Sequence, residues 1–201
     1  TLYTINFNSI LGKMRVIYVL AIGVVVLGLT AAVVARQGEA RFDPTPVFSS
    51  AEEELMISTI EQFRAGHGLS SELIQAKSAK NGARQWAEHL NAECEFSHGE
   101  GNLSFEQQRG ADYGYPAGSK EILALSTEGP SGADYIVNKG WALSPSHYDA
   151  LVLENARFIG VSIVEVKCSK MLDYTKEPPV MKNIDRKHYL YVVHIIPEEV
   201  K

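Results

Sequence analysis

Twenty consecutive uncharged residues, Val16 to Ala35 (VIYVLAIGVVVLGLTAAVVA), constrain this chain more than any other feature. As a helix the run would be about 30 Å long, enough to cross the hydrocarbon core of a bilayer. No polar face interrupts it, which sets it apart from a helix lying on a globular core. Lys13 and Arg15 precede it, and only Arg36 lies directly after it. Basic residues on the leading side keep the amino terminus in the cytoplasm and send the downstream chain outward. The same arrangement serves a cleavable secretory signal, and Thr30, Ala31 and Ala32 supply the small residues that a cleavage site prefers. Signal peptide and uncleaved single-pass anchor both fit residues 1–35. Either one places the rest of the chain in an oxidising, extracytoplasmic compartment, secreted or membrane-tethered.

Charge points the same way. The 201 residues carry a net charge of −5, and beyond the apolar run 17 basic residues face 24 acidic ones. Such an excess of acid excludes nucleic acid as the expected partner and leaves the amino-terminal segment as the expected link to a membrane. Hydrophobic residues make up 45% of the chain, as in a folded domain. Two cysteines, Cys94 and Cys168, allow one bridge in an oxidising compartment. Grouping Cys94 with His89 and His98 as metal ligands matches no standard spacing.

Residues 36–48 contain Pro44 and Pro46 and are read as a linker, so the domain is expected over 49–201. Ser50 before three glutamates starts a helix, with Leu55, Ile57, Ile60 and Phe63 as its apolar stripe. A second helix is expected over 73–90 with Trp86 facing the core, then a polar loop over 91–104 in which Asn102 is a glycosylation acceptor. A short helix and irregular loop over 105–118 lead to a strand at 121–126. Residues 133–141 read as helical, and Ser144-Pro145 opens another short helix. The clearest strands are 158–166 and 189–196, rich in branched and aromatic residues. Between them, 167–188 read as a long exposed connection. Helices first and strands last indicate one α+β domain.

P-loop, complete dinucleotide fingerprint and His-Glu-x-x-His helix are absent, and Gly129-Pro-Ser-Gly132 is one residue too short for a nucleophile elbow. What stands out is an ordered polar set: Trp86-Ala87, Phe96-Ser97-His98, Glu121, Trp141, Ser144, Ser146-His147-Tyr148 and Ile159-Gly160-Val161. In order and spacing it resembles the CAP superfamily of cysteine-rich secretory proteins, antigen five and pathogenesis-related protein one. The resemblance runs from about Ser50 to Pro197. It implies an α-β-α sandwich around a central antiparallel sheet, preceded here by the hydrophobic segment. It also implies a cleft formed by His98, Glu121 and His147, with Ser144 and Tyr148 at its periphery. Ser144 stands where the family carries its second glutamate, Ile122 where it carries an asparagine and Ala150 where it carries a glutamine. Two imidazoles and one carboxylate meet the ligand count of a zinc-like divalent metal with water in an open position.

The residues support two functional readings. The first is an extracellular module that binds a small ligand, lipid or protein; the second is a metal-dependent hydrolase or protease using the His/Glu cleft. His194, inside a strand, reads as a hydrogen-bonded structural histidine. A reporter fused after Lys201 is expected outside the cytoplasm, and retention inside would refute the reading of the apolar run.

Overall fold

The computed structural model describes residues 40–99 and 105–198. The apolar run and Asn102 lie outside them. Among the described residues no helix is long and apolar enough to cross a membrane.

Helix α1, Ala51–Gly66, starts where local chemistry dictates. Ser50 Oγ accepts from the Glu53 amide, Glu53 returns a bond to the Ser50 amide at 2.8 Å, and Glu52 to Glu54 complement the helix dipole. Met56, Ile57 and Ile60 are its buried face. Strand β1, Ile74–Gln75, precedes helix α2, Lys77–Glu93. The expected start at residue 73 is thus too early, because Ile74 and Gln75 pair with a strand instead of coiling. Helix α2 ends at Cys94, whose left-handed conformation (φ 58°) turns the chain into strand β2, Glu95–Phe96.

A helical segment, π-helical over Glu106–Gly110 and α-helical over Ala111–Tyr113, leads to strand β3, Lys120–Ser126. Three short helical turns over Ala133–Leu143 then precede helix α3, Pro145–Leu151. Strands β4, Ala156–Glu165, and β7, Tyr189–Pro197, form the centre of a four-stranded sheet in the order β1-β4-β7-β3. Its three long strands are antiparallel, and β1 adds a two-residue parallel pairing at the edge of β4. Alternation of side chains divides the core into layers. Ile122, Tyr191, Val193 and Ile195 face α1, α3 and the 133–143 turns, whereas Leu123, Leu190 and Val192 face α2. The result is the expected α-β-α sandwich.

Two regions read differently in three dimensions. Residues 167–188 form strands β5, Lys170–Asp173, and β6, Val180–Asn183, which with β2 build a second small sheet in the order β2-β5-β6. Met171 is fully buried there, and Cys168 is bonded to Cys94 across 74 residues of chain. The strands are short and β6 is exposed along its length, so no apolar alternation announces them. Residues 40–48 are not a free tether either. Asp43 and Thr45 carbonyls accept from Ser78 and Lys77, Val47 donates to Gln75, and Phe42 packs on Tyr115 and Phe158. The prolines keep this stretch extended, which exposes its remaining backbone groups to those partners.

Helix α2 lies unusually close to the sheet. A Cβ on Gly160 would fall 2.1 Å from the backbone carbonyl carbon and oxygen of Ala79, and one on Gly82 would fall 2.1 Å from Tyr115 Oη. Backbone cannot rotate away as a side chain can. Gly160→Ala is therefore expected to destabilise the domain by roughly 3 kcal/mol, at the upper end for overpacked cores, measured as a lower urea midpoint with unchanged slope.

Candidate functional site

Glu121 is the second residue of β3, directly opposite His194 of β7 in the antiparallel register. Both side chains point to the α2 side of the sheet, like Leu123 and Val192 on the same strands. The Glu121 side chain is 1% exposed. Oε1 accepts from His98 Nδ1 at 3.0 Å and Arg109 Nη2 at 3.1 Å, and Oε2 accepts from Arg109 Nε at 3.0 Å and His194 Nε2 at 2.9 Å. A carboxylate offers about four in-plane acceptor positions, and all are used. Burial alone would raise the Glu121 pKa, but hydrogen bonds from His194 and His98 and the charge of Arg109 outweigh it and hold the group at about 2.

The helical segment after residue 105 delivers Arg109, whose guanidinium lies 3.8 Å from the centre of the Trp86 ring on α2 and also donates to the His98 carbonyl. Trp86 Nε1 donates to the Ser97 carbonyl at 3.2 Å, so the same tryptophan anchors the loop carrying His98. Deeper in, Tyr115 lies 3.0 Å from His194 Nδ1. The ionised Glu121 can only accept, so His194 carries its proton on Nε2 and accepts a hydrogen bond from the Tyr115 hydroxyl at Nδ1. Burial lowers the His194 pKa against the opposing pull of Glu121, and burial raises that of Tyr115. His194 is the structural histidine expected from the sequence. Arg109 carried no sequence signal, since nothing in a polar segment tells a buried arginine from an exposed one.

His147 lies on the other flank of β3, half-buried near the start of α3, with its ring 6.5 Å from that of Trp141. Its pKa is lowered by burial and then by the charge of His98, so the two imidazoles sense each other. His147, Ser144 and Trp141 line a groove of about 450 Å³, together with the preceding helical turns at Tyr135, Ile136 and Gly140, Phe96, the β3 residues 123–126 and the small sheet. Tyr148 is turned away from it, with its ring against Phe63 and His67 on the α1 side. Trp86 and Trp141 are both core residues, and Trp141 Nε1 donates to the Leu123 carbonyl at 2.9 Å.

A resident divalent metal does not fit this donor set. Glu121 has no acceptor position left, and a guanidinium 3.0 Å away would repel a dication. Among the described residues no group of three or more His, Cys, Asp or Glu side chains is placed to hold an ion.

The four-stranded sheet between its flanking helices is an α-β-α sandwich, with the buried Glu121–His194 pair bridging β3 and β7. The family model for the cysteine-rich secretory protein family, CAP, matches residues 57–175, more than half of the chain. The chain belongs to that family. An outer surface protein of Borrelia burgdorferi shares the fold at a TM-score of 0.54 and 20% identity, covering 78% of this chain and 99% of that one. An extracellular protein containing an SCP domain from Bacillus anthracis strain Ames aligns at a TM-score of 0.49 and 15% identity, covering 73% of this chain and 40% of that one. No curated protein matches the chain.

Two measurements probe the buried cluster. Arg109→Met leaves Glu121 buried without its cation and is expected to cost about 3–5 kcal/mol. Acid should weaken the fold in two stages. Below the ordinary histidine value of 6.5 the unfolded chain takes up a proton that folded His194 refuses, so stability is lost at up to about 1.4 kcal/mol per pH unit. Below 4.5 Glu121 adds a second loss that runs down to its folded value of about 2. The melting temperature is therefore expected to fall steadily from pH 7 to pH 4; a flat profile over that range would refute the arrangement.

Proposed function

We propose that this chain is an extracytoplasmic CAP module that acts by binding a ligand in the groove between β3, Trp141 and the small sheet. The observation that carries the reading is the groove itself. It is open, apolar over most of its surface, and bordered by Trp141, Ser144 and His147. A pocket of this size, with an apolar floor and polar side chains along its rim, suits a ligand that carries both kinds of group. Export is supported by the apolar run, by the disulfide, which belongs to oxidising compartments, and by the outer-surface placement of the Borrelia relative.

Hydrolysis in the His/Glu cleft has less support. A general base must have a free lone pair directed at its proton, and each carboxylate oxygen of Glu121 already accepts two hydrogen bonds. Ser144 supplies no second carboxylate. The cluster holds the cleft together and leaves recognition to the groove.

Dansylundecanoic acid, an amphiphilic reporter, tests this. The exported protein is expected to bind it saturably with energy transfer from tryptophan, and Ser144→Trp, which fills the groove from an exposed helix start, should weaken uptake about tenfold or more. Equal binding by the folded Ser144→Trp protein would place the ligand elsewhere.

A further inference from the structure

The hydrogen-bond phase of the sheet determines what β3 offers to this groove. Beyond the ladder of β4 and β7, Val166 N–H donates to the His188 carbonyl, and on the far side of β4 the Ile159 carbonyl accepts from Ala76. Even-numbered residues of β4 and β7 therefore bond to each other, and odd-numbered residues of β7 bond to β3. In the β3 register Val193 and Tyr191 face Ile122 and Ala124, so these are the bonded pairs. Glu121, Leu123 and Leu125 must then point their N–H and C=O groups away from the sheet. Trp141 shows the same phase independently, because its Nε1 reaches the Leu123 carbonyl from outside.

No described strand flanks β3 on that side. The Leu125 N–H and C=O therefore open into the groove, beside four consecutive β3 residues that span about 13 Å. An acyl chain laid there covers peptide groups without bonding them, which weakens its uptake without preventing it. A peptide backbone bonds them. Across the groove stand Lys176 and Lys182, both exposed and in no ion pair among the described residues, and Asp173, whose Oδ1 accepts from the Thr175 amide and hydroxyl within its own turn. In an otherwise acidic protein this wall presents two unpaired cations.

We infer that the groove takes an extended acidic peptide, which pairs with the outer edge of β3 at Leu125, seats an apolar side chain against Trp141 and Phe96, and sets a carboxylate between Lys176 and Lys182. Strand addition at an exposed edge draws affinity from main-chain bonds and specificity from alternating side chains. This inference rests on the groove being the ligand site. It narrows the ligand from any amphiphile to a polypeptide.

The probe is the fluorescein-labelled hexapeptide Glu-Val-Glu-Val-Glu-Val, with Lys-Val-Lys-Val-Lys-Val as its counterpart, titrated by anisotropy against the exported full chain. The acidic peptide is expected to bind saturably and to displace dansylundecanoic acid, and the basic peptide to bind at least roughly tenfold more weakly. The double variant Lys176→Glu/Lys182→Glu should reverse that preference. Leu125→Pro removes the outward N–H without touching the β7 ladder and should lower acidic-peptide affinity about tenfold. If that variant does not fold, the charge-reversal pair decides. Equal binding of both peptides, or binding indifferent to folded Leu125→Pro, would overturn the inference. Uptake of the dansyl probe without peptide binding would overturn it while sparing the ligand-binding reading, and failure of both probes would remove both.

Discussion

The rest of the domain depends on one buried carboxylate. Glu121 ties together the sheet, through His194; the helical segment after residue 105, through Arg109; and the loop before it, through His98. An ionised group so deep in a protein is tolerated only when its lone pairs are filled and its charge is answered. Here both conditions hold. Arg109 in turn is held over Trp86, so the electrostatic centre and the packed face of α2 form a single structure. Removing a member leaves a charge or a donor stranded, which makes the cluster a source of specificity for one arrangement more than a reserve of stability.

Close approach of α2 to the sheet serves this arrangement. Gly160 lets Ala79 sit against β4, and Gly82 leaves room for the Tyr115 hydroxyl that completes the His194 hydrogen bonds. The disulfide then ties the end of α2 to the small sheet, with Cys94 turning the chain at a positive φ. The small sheet stands across from the outer edge of β3, and the groove lies between them. A rigid, charge-balanced core on one flank of β3 thus leaves an open, lysine-bearing groove on the other. Binding sites are commonly arranged this way, with variable loops carried on an over-determined scaffold.

Much of this was legible in the residues alone. The Ser50 cap, the apolar stripe of α1, the two long branched strands and the order of Trp86, His98, Glu121 and His147 are local or near-local patterns, and they determined the fold class and the family. The apolar run determined the expectation of export. Patterns of this kind survive because side-chain periodicity and capping act over a few residues. Tertiary structure alone decided the rest. Arg109 became a partner of Glu121 through a contact across 12 residues with no periodic signature, and it turned a ligand set suited to zinc into a closed hydrogen-bonded cluster. Residues 40–48 joined the domain and 167–188 became a sheet because their stabilising partners lie far away in sequence. Which β3 residues face the groove was settled by pairing phase, a property of three strands together. Long-range pairing carries no local signal, and for that reason His98, Glu121, Ser144 and His147 could be picked out in the sequence while Arg109, the groove lysines and the chemistry of the site could not.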